Sequence, residues 1–180
     1  MKIIVLFGSP RKDGNTMALV RAFSDPLTLH GDEVKILHLN DMDIGPCQGC
    51  MACLPEGICT IDDQMETVKN AVYGSDVIVF ATPVYWFTVS AQLKLVMDRC
   101  LAFMDEDYNS RIKGKKVATI MTCGDENHAV CQPALDTFTM MFELLGLSSM
   151  GGVEATGCES TGGVKEEFKE NVRKLAESLL

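Results

Sequence analysis

The chain predicts an α/β fold, with a five-stranded parallel sheet covered by helices on both faces. Three observations lead there. Strand-like and helix-like segments alternate along the 180 residues. The first and third strand segments are continuous apolar runs, as strands buried on both faces require. The last segment, Val164–Leu180, is a clean amphipathic helix.

The elements follow in order. Lys2–Phe7 is the first strand. A helix starts at about Thr16, with Met17, Leu19, Val20 and Phe23 on its apolar side. Pro26 should end or kink it, because proline removes an internal hydrogen bond. Glu33–Leu39 is the second strand, and residues 40 to 60 form a long irregular loop. Asp62–Tyr73 reads as a helix with Asp62 or Asp63 as its cap. Asp76–Thr82 is the third strand. Ser90–Met104 is helical, with Leu93, Val96, Met97 and Leu101 on one face. Lys115–Thr122, a helix over Pro133–Leu145, and a fifth strand over Gly151–Thr156 complete the set. This pattern leaves the strand order open.

The length suits one domain over residues 1–180, with a cysteine-rich loop at about 40–60. Hydrophobic residues make up 47% of the chain, enough for a core without disulfide staples. The net charge of −9 argues against nucleic-acid binding and against adhesion to anionic membranes. Ile3–Phe7 is too short for a secretory signal, and the stretch Val77–Ala91 is too short to span a bilayer. A cytoplasmic location is expected. Clustered thiols there favour metal binding or redox chemistry over structural disulfides.

Parallel sheets of this kind bind ligands at the carboxyl ends of their strands. Three loops fall there. "FGSPRKDGNTMA" joins the first strand to the first helix. Gly8 and Gly14 permit close backbone approach; Ser9, Asn15 and Thr16 are short donors; Arg11 offers a bidentate fork for phosphate. The loop ends at a helix N-terminus, which favours an anion. An ordinary turn capped by Asn15 or Thr16 is the plainer alternative. Neither G-x-x-x-x-G-K-[ST] nor G-x-G-x-x-G is present.

"ATPVYWFTVSAQLKLVMDR" follows the third strand and places Trp86, the only tryptophan, between Tyr85 and Phe87. Aromatic side chains at a strand end can wall a planar ring, or pack against the core or a partner subunit. "MTCGDEN" follows the fourth strand and brings Thr122, Gly124 and Asp125 to the same edge. Ser90 and Lys94 read as helix-start and surface residues, and His128 as an exposed loop residue.

"PCQGCMACLPEGICTIDD" carries four of the eight cysteines, Cys47, Cys50, Cys53 and Cys59. Two successive C-x-x-C steps let three thiolates converge on one turn, and Gly45, Gly49 and Gly57 let the backbone wrap. A [4Fe–4S] cluster needs four thiolates. Zinc, a dithiol–disulfide or unoccupied thiol set, and buried structural cysteines are the alternatives. Cys100, Cys123, Cys131 and Cys158 read as small buried hydrophobes, with Cys123 placed to approach a ligand in the third loop.

Together, G-S-P-R-x-x-G-N-T, P-V-Y-W, S-A-Q-L-K and D-R resemble the NADPH-dependent FMN reductase family over nearly the whole chain. The resemblance implies a flavodoxin-like three-layer sandwich that binds FMN. It implies that Ser9, Arg11, Asn15 and Thr16, with the backbone around Gly14, contact the FMN phosphate. Pro83, Val84, Tyr85 and Trp86 would contact the flavin ring, with Thr122, Gly124 and Asp125 at its other edge. Phe87 departs from the pattern, since many relatives have a small residue there. That bulk would narrow a substrate pocket or meet a partner chain.

The cysteine spacing C-x2-C-x2-C-x5-C resembles the iron–sulfur flavoprotein branch of that family. This implies that Cys47, Cys50, Cys53 and Cys59 ligate a [4Fe–4S] cluster in a homodimer or homotetramer. It implies electron transfer with ferredoxin or NAD(P)H as partner. No side chain is expected to act as a catalytic nucleophile or acid, because the chemistry belongs to the cofactors. A cluster-free NAD(P)H-dependent FMN or quinone reductase is the leading alternative. A flavin shuttle with no substrate of its own and a zinc-stabilised interaction domain stand further off.

Overall fold

The structure is a computed structural model describing residues 1–180. In chain order the elements are β1 (Lys2–Phe7), α1 (Asn15–His30), β2 (Glu33–His38), α2 (Met65–Tyr73), β3 (Val77–Tyr85) and β4 (Thr88–Val89). They continue with α3 (Ala91–Asp98), β5 (Lys116–Thr122), α4 (Gln132–Leu144), β6 (Ser148–Ala155) and α5 (Glu166–Glu177). Five strands pair in parallel in the order β2-β1-β3-β5-β6. The expected parallel sheet is therefore present. The short β4, which the sequence did not suggest, folds back antiparallel on the end of β3.

Period-two alternation sorts the strands into two cores. Ile4, Leu6, Ile78 and Phe80 face α2, α3 and α4, where Val68, Leu93 and Phe138 meet them. Ile3, Val5, Val77 and Val79 face α1 and α5, where Phe23, Leu27 and Val172 meet them. β1 and β3 are thus buried on both sides, which is why their sequences are continuous apolar runs. Each fully buried aliphatic or aromatic side chain stabilises the fold by roughly 1.5–3 kcal/mol.

Several boundaries differ from the expectation, each for a physical reason. α1 passes through Pro26 and stops at Gly31, whose φ of 97° suits a left-handed cap. Leu27, beyond the proline, is fully buried, and that packing offsets the lost helix bond. β3 runs three residues past Thr82, because its end is held by β4. The helix expected over Ser90–Met104 is two pieces: α3 ends at Asp98 and a 3₁₀ turn covers Cys100–Phe103. The break falls at Arg99, whose side chain turns into the body under the cysteine loop. β6 starts at Ser148, three residues before the expected Gly151, and its pairing with β5 shifts register between Val117 and Thr119. A side chain at Gly152 would collide with Thr119 Oγ1 at 1.9 Å, so glycine is required there.

The order β2-β1-β3 reverses direction at β1, and the carboxyl ends of β1 and β3 flank a crevice. That is the switch point where doubly wound sheets take their ligands.

Candidate functional site

Bonds between segments build the rim of that crevice. The Gly8 amide donates to the Ala81 carbonyl at 2.8 Å, locking the ends of β1 and β3 together. Ser90, the buried N-cap of α3, donates from Oγ to the Gly8 carbonyl at 2.7 Å. A Cβ at Gly8 would stand 2.7 Å from Ser90 Oγ and 2.8 Å from Leu93 Cβ, so only glycine fits this approach. Past Gly8 the chain turns tightly. The Arg11 amide donates to Ser9 Oγ at 3.2 Å, and the Gly14 amide to the Arg11 carbonyl at 3.3 Å.

α1 then begins without a side-chain cap, since Gly14 occupies the N-cap position. Neither Asn15 nor Thr16 caps the helix. The first helical amides face the crevice unsatisfied, which is what an anion needs. Lys12 pairs with Asp41 and Arg21 with Asp13, whereas the Arg11 guanidinium is left without an acidic partner beside the crevice.

A cavity of about 210 Å³ lies at this point. Its wall gathers Ser9, Arg11, Gly14, Asn15, Thr16, Pro83, Val84, Tyr85, Thr122 and Gly124 from the three predicted loops. Trp86 and Asp125 lie outside it. With Val84, Tyr85, Phe87 and Val130 they line a more open hollow beside it. The reason is the hairpin. Val84 pairs with Val89 and Tyr85 with Thr88, leaving Trp86 and Phe87 as the two tip residues. Their φ values of 48° and 68° are left-handed, a conformation such tips demand and bulky residues resist. Trp86 is 91% exposed as a result.

Two roles are sharper than the sequence suggested. Thr16 Oγ1 and Thr122 Oγ1 lie 2.7 Å apart and buried, so these hydroxyls join α1 to β5. Asn15 spends its side chain on the segment after β6. Its Nδ2 donates to the Cys158 and Ser160 carbonyls, and its Oδ1 accepts from the Gly162 amide at 2.9 Å. Asn15 therefore shapes the cavity by holding this strap from within its wall.

The strap is what sequence reasoning missed. Cys158 and Glu159 line the cavity, as does Cys123. The Gly- and Ser-rich stretch after the last strand was the available signal, and it carried no distinguishing motif. Ser90 and Lys94 have the expected roles of cap and surface ion-pair partner. His128 is exposed, with Nε2 3.4 Å from Glu154 Oε2.

The cysteine loop is built differently. Three cations from the body reach up to its backbone. Arg99 donates to the carbonyls of Gly45 at 3.3 Å and Ile61 at 3.5 Å and ion-pairs with Asp63. Lys69 Nζ donates to the Gly57 carbonyl at 2.8 Å. Arg111 donates to the carbonyls of Leu54 and Pro55 at 2.9 and 2.8 Å. Asp63 also accepts from the Met65 and Gly45 amides, so it anchors the loop. α2 starts at Met65 with Gln64 at its N-cap and no side-chain cap, so neither Asp62 nor Asp63 caps it as expected. Burial works against its charge, but Arg99 and the two amides prevail and hold its pKa below the usual carboxylate range.

All eight cysteines are free thiols. Cys100, Cys123, Cys131 and Cys158 are buried, and burial pushes Cys100 and Cys131 up to about 12, so they remain protonated. Cys50 behaves oppositely, since the Ala52 amide and the Thr60 hydroxyl lower its pKa. No three His, Cys, Asp or Glu side chains are drawn together as a closed ligand group. Burial raises the Cys53 pKa against an opposing backbone hydrogen bond, with Cys59, Cys47 and Cys50 adding to the rise. As a donor set, four free thiols within one short loop suit an iron–sulfur cluster by their chemistry. The cavity's anion cradle and apolar wall likewise fit a flavin mononucleotide.

Fold and crevice together define a flavodoxin-like protein with a preformed anion cradle at its β1/β3 switch point. A family model, NADPH-dependent FMN reductase, matches residues 1–162. An iron–sulfur flavoprotein of Archaeoglobus fulgidus is 32% identical over 98% of this chain and 96% of its own. Another from Methanocaldococcus jannaschii is 41% identical over 55% of this chain, a match that spans 51% of that relative. A solved NAD(P)H:quinone oxidoreductase from Methanothermobacter marburgensis shares the fold, with a TM-score of 0.79 at 16% identity over 99% of this chain and 96% of that one. The chain belongs to the NADPH-dependent FMN reductase family, in its iron–sulfur flavoprotein branch. It is a flavin-dependent oxidoreductase. No helix is long and apolar enough to cross a membrane.

Proposed function

We propose that this chain is an FMN-dependent electron-transfer protein that also carries a [4Fe–4S] cluster, exchanging electrons between a reduced donor, ferredoxin or NAD(P)H, and an acceptor. One observation carries the reading. A preformed anion cradle with an apolar wall and a loop of four free thiols occur in a single domain. Bound FMN supplies a ring that accepts one or two electrons, and a [4Fe–4S] centre exchanges them singly.

The chain's own residues bind and orient. Arg11, Ser9 and the amides opening α1 hold the phosphate. Pro83, Val84 and Tyr85 form one wall, and Thr122 and Gly124 the other. Trp86, Phe87 and Asp125 shape the entrance. Cys47, Cys50, Cys53 and Cys59 are the cluster ligands. The exposed aromatic tip supports a homodimer or homotetramer in which that tip is covered. The free thiols support a reducing, cytoplasmic setting.

Anaerobic purification followed by flavin, iron and acid-labile sulfide analysis tests the reading. About four irons and four sulfides per chain are expected alongside one FMN. FMN without iron or sulfide, even after anaerobic reconstitution, would overturn the cluster. A second reading, a cluster-free NAD(P)H-dependent FMN or quinone reductase, is favoured by the fact that no residue of the cysteine loop lines the cavity. Steady NAD(P)H oxidation by iron-free protein would select it.

A further inference from the structure

Beneath the cysteine loop lies a second cavity, of about 250 Å³, whose wall includes Cys59, Asp63, Lys69 and Arg99. Arg99 is 3% exposed. Its two terminal nitrogens are committed to Gly45, Ile61 and Asp63, residues at opposite ends of the loop. Its Nε is buried and makes no hydrogen bond, while the Cys59 thiol lies beside the guanidinium. A buried guanidinium N–H without a partner is costly, and native structures rarely leave one so. The helix itself breaks at Arg99, which has φ −99° and ψ 5°, so the backbone is bent where this side chain departs.

We propose that Arg99 is the positioning residue of the cysteine loop: it staples the loop's two ends together and keeps its Nε–H for the sulfur side of a cluster held at Cys59. Only the second half rests on the cluster reading above. The staple acts on Gly45 and Ile61 whether or not iron is present. The donor acts on charge. Reduction makes a cluster more negative, and an N–H donor with a full positive charge beside it favours that state and raises the potential. Lysine keeps the charge but has neither the fork nor the Nε–H, so Arg99→Lys separates charge from geometry.

The test compares wild type, Arg99→Lys and Arg99→Gln, each purified anaerobically with FMN. Flavin content should be unchanged in all three, because Arg99 does not line the flavin cavity. In Arg99→Lys the cluster's reduction equilibrium, read by redox titration with electron paramagnetic resonance, should shift about tenfold toward the oxidised form. For a one-electron couple this is a potential lower by about 59 mV. In Arg99→Gln, limited proteolysis should cut within residues 45–63 about tenfold faster than in wild type. A wild-type potential in Arg99→Lys would overturn the donor role, and wild-type cleavage in Arg99→Gln would overturn the staple. If Arg99→Gln fails to fold, cleavage of Arg99→Lys decides the staple in its place. If wild type takes up no iron or sulfide, the cluster reading and the donor role fall together, and the cleavage rates still decide the staple.

Discussion

The switch-point cavity and the cysteine loop belong to one chain but are held by opposite means. The cavity is a product of register. Its walls come from the ends of β1, β3, β5 and β6, joined by Gly8 to Ala81, Ser90 to Gly8, and Thr16 to Thr122. The loop has neither strand nor α-helix between Gly45 and Asp63, and its carbonyls hang on Arg99, Lys69 and Arg111. A site built on close backbone approach is sensitive to added bulk. A site hung on cations, two of them buried, is sensitive to lost charge.

The largest expected effect strikes the loop. Asp63→Ala leaves Arg99 buried and unpaired, and removing one partner of a buried ion pair costs about 3–5 kcal/mol. Urea unfolding of the FMN-bound protein measures it. Acid should imitate the change. The folded pKa of Asp63 is depressed, so the pair's contribution is complete above the unfolded value of about 3.9. It is lost as pH falls through the folded pKa. Asp63→Asn should flatten that acid limb of the stability curve.

The next effect strikes the cavity through bulk. Gly8→Ala drives a methyl into Ser90 Oγ and Leu93, and such overpacking costs about 1–3 kcal/mol. FMN affinity should fall with it, while the proteolysis rate of the cysteine loop should not change. Arg11→Ala removes charge from the cavity and should act the other way. FMN binding weakens about tenfold, the order of one charge-assisted bond, with riboflavin binding and the urea midpoint unchanged. Equal loss of both flavins would place the phosphate elsewhere. The smallest effect is a gain. Phe87→Gly removes a left-handed strain that costs on the order of 1 kcal/mol, and the urea midpoint should rise accordingly.

The cavity was legible in the sequence to an unusual degree, because βα loops at a parallel sheet's edge meet by topology alone. Ten of its lining residues were named from three loops. The strap carrying Cys158 and Glu159 was not, since Asn15 recruits it across 143 residues of chain. Trp86 looked like a wall from its neighbours Pro83 and Tyr85, yet the hairpin turn swings it into the open hollow. A run of letters cannot show that two bulky residues will take positive φ. Pro26 misled for the converse reason: local propensity ended a helix that tertiary burial of Leu27 continued.

By itself the sequence determined the class of fold, the three loops that line the switch-point cavity, and the set of four thiols that a cluster would need. Those follow from local facts: apolar periodicity, glycines and short donors at a strand end, and cysteine spacing. Tertiary structure alone decided the strand order, the strap over the cavity, and the buried cations beneath the cysteine loop. Those depend on groups far apart in the chain, such as Arg99 and Gly45, whose interaction is created only when packing removes the water between them.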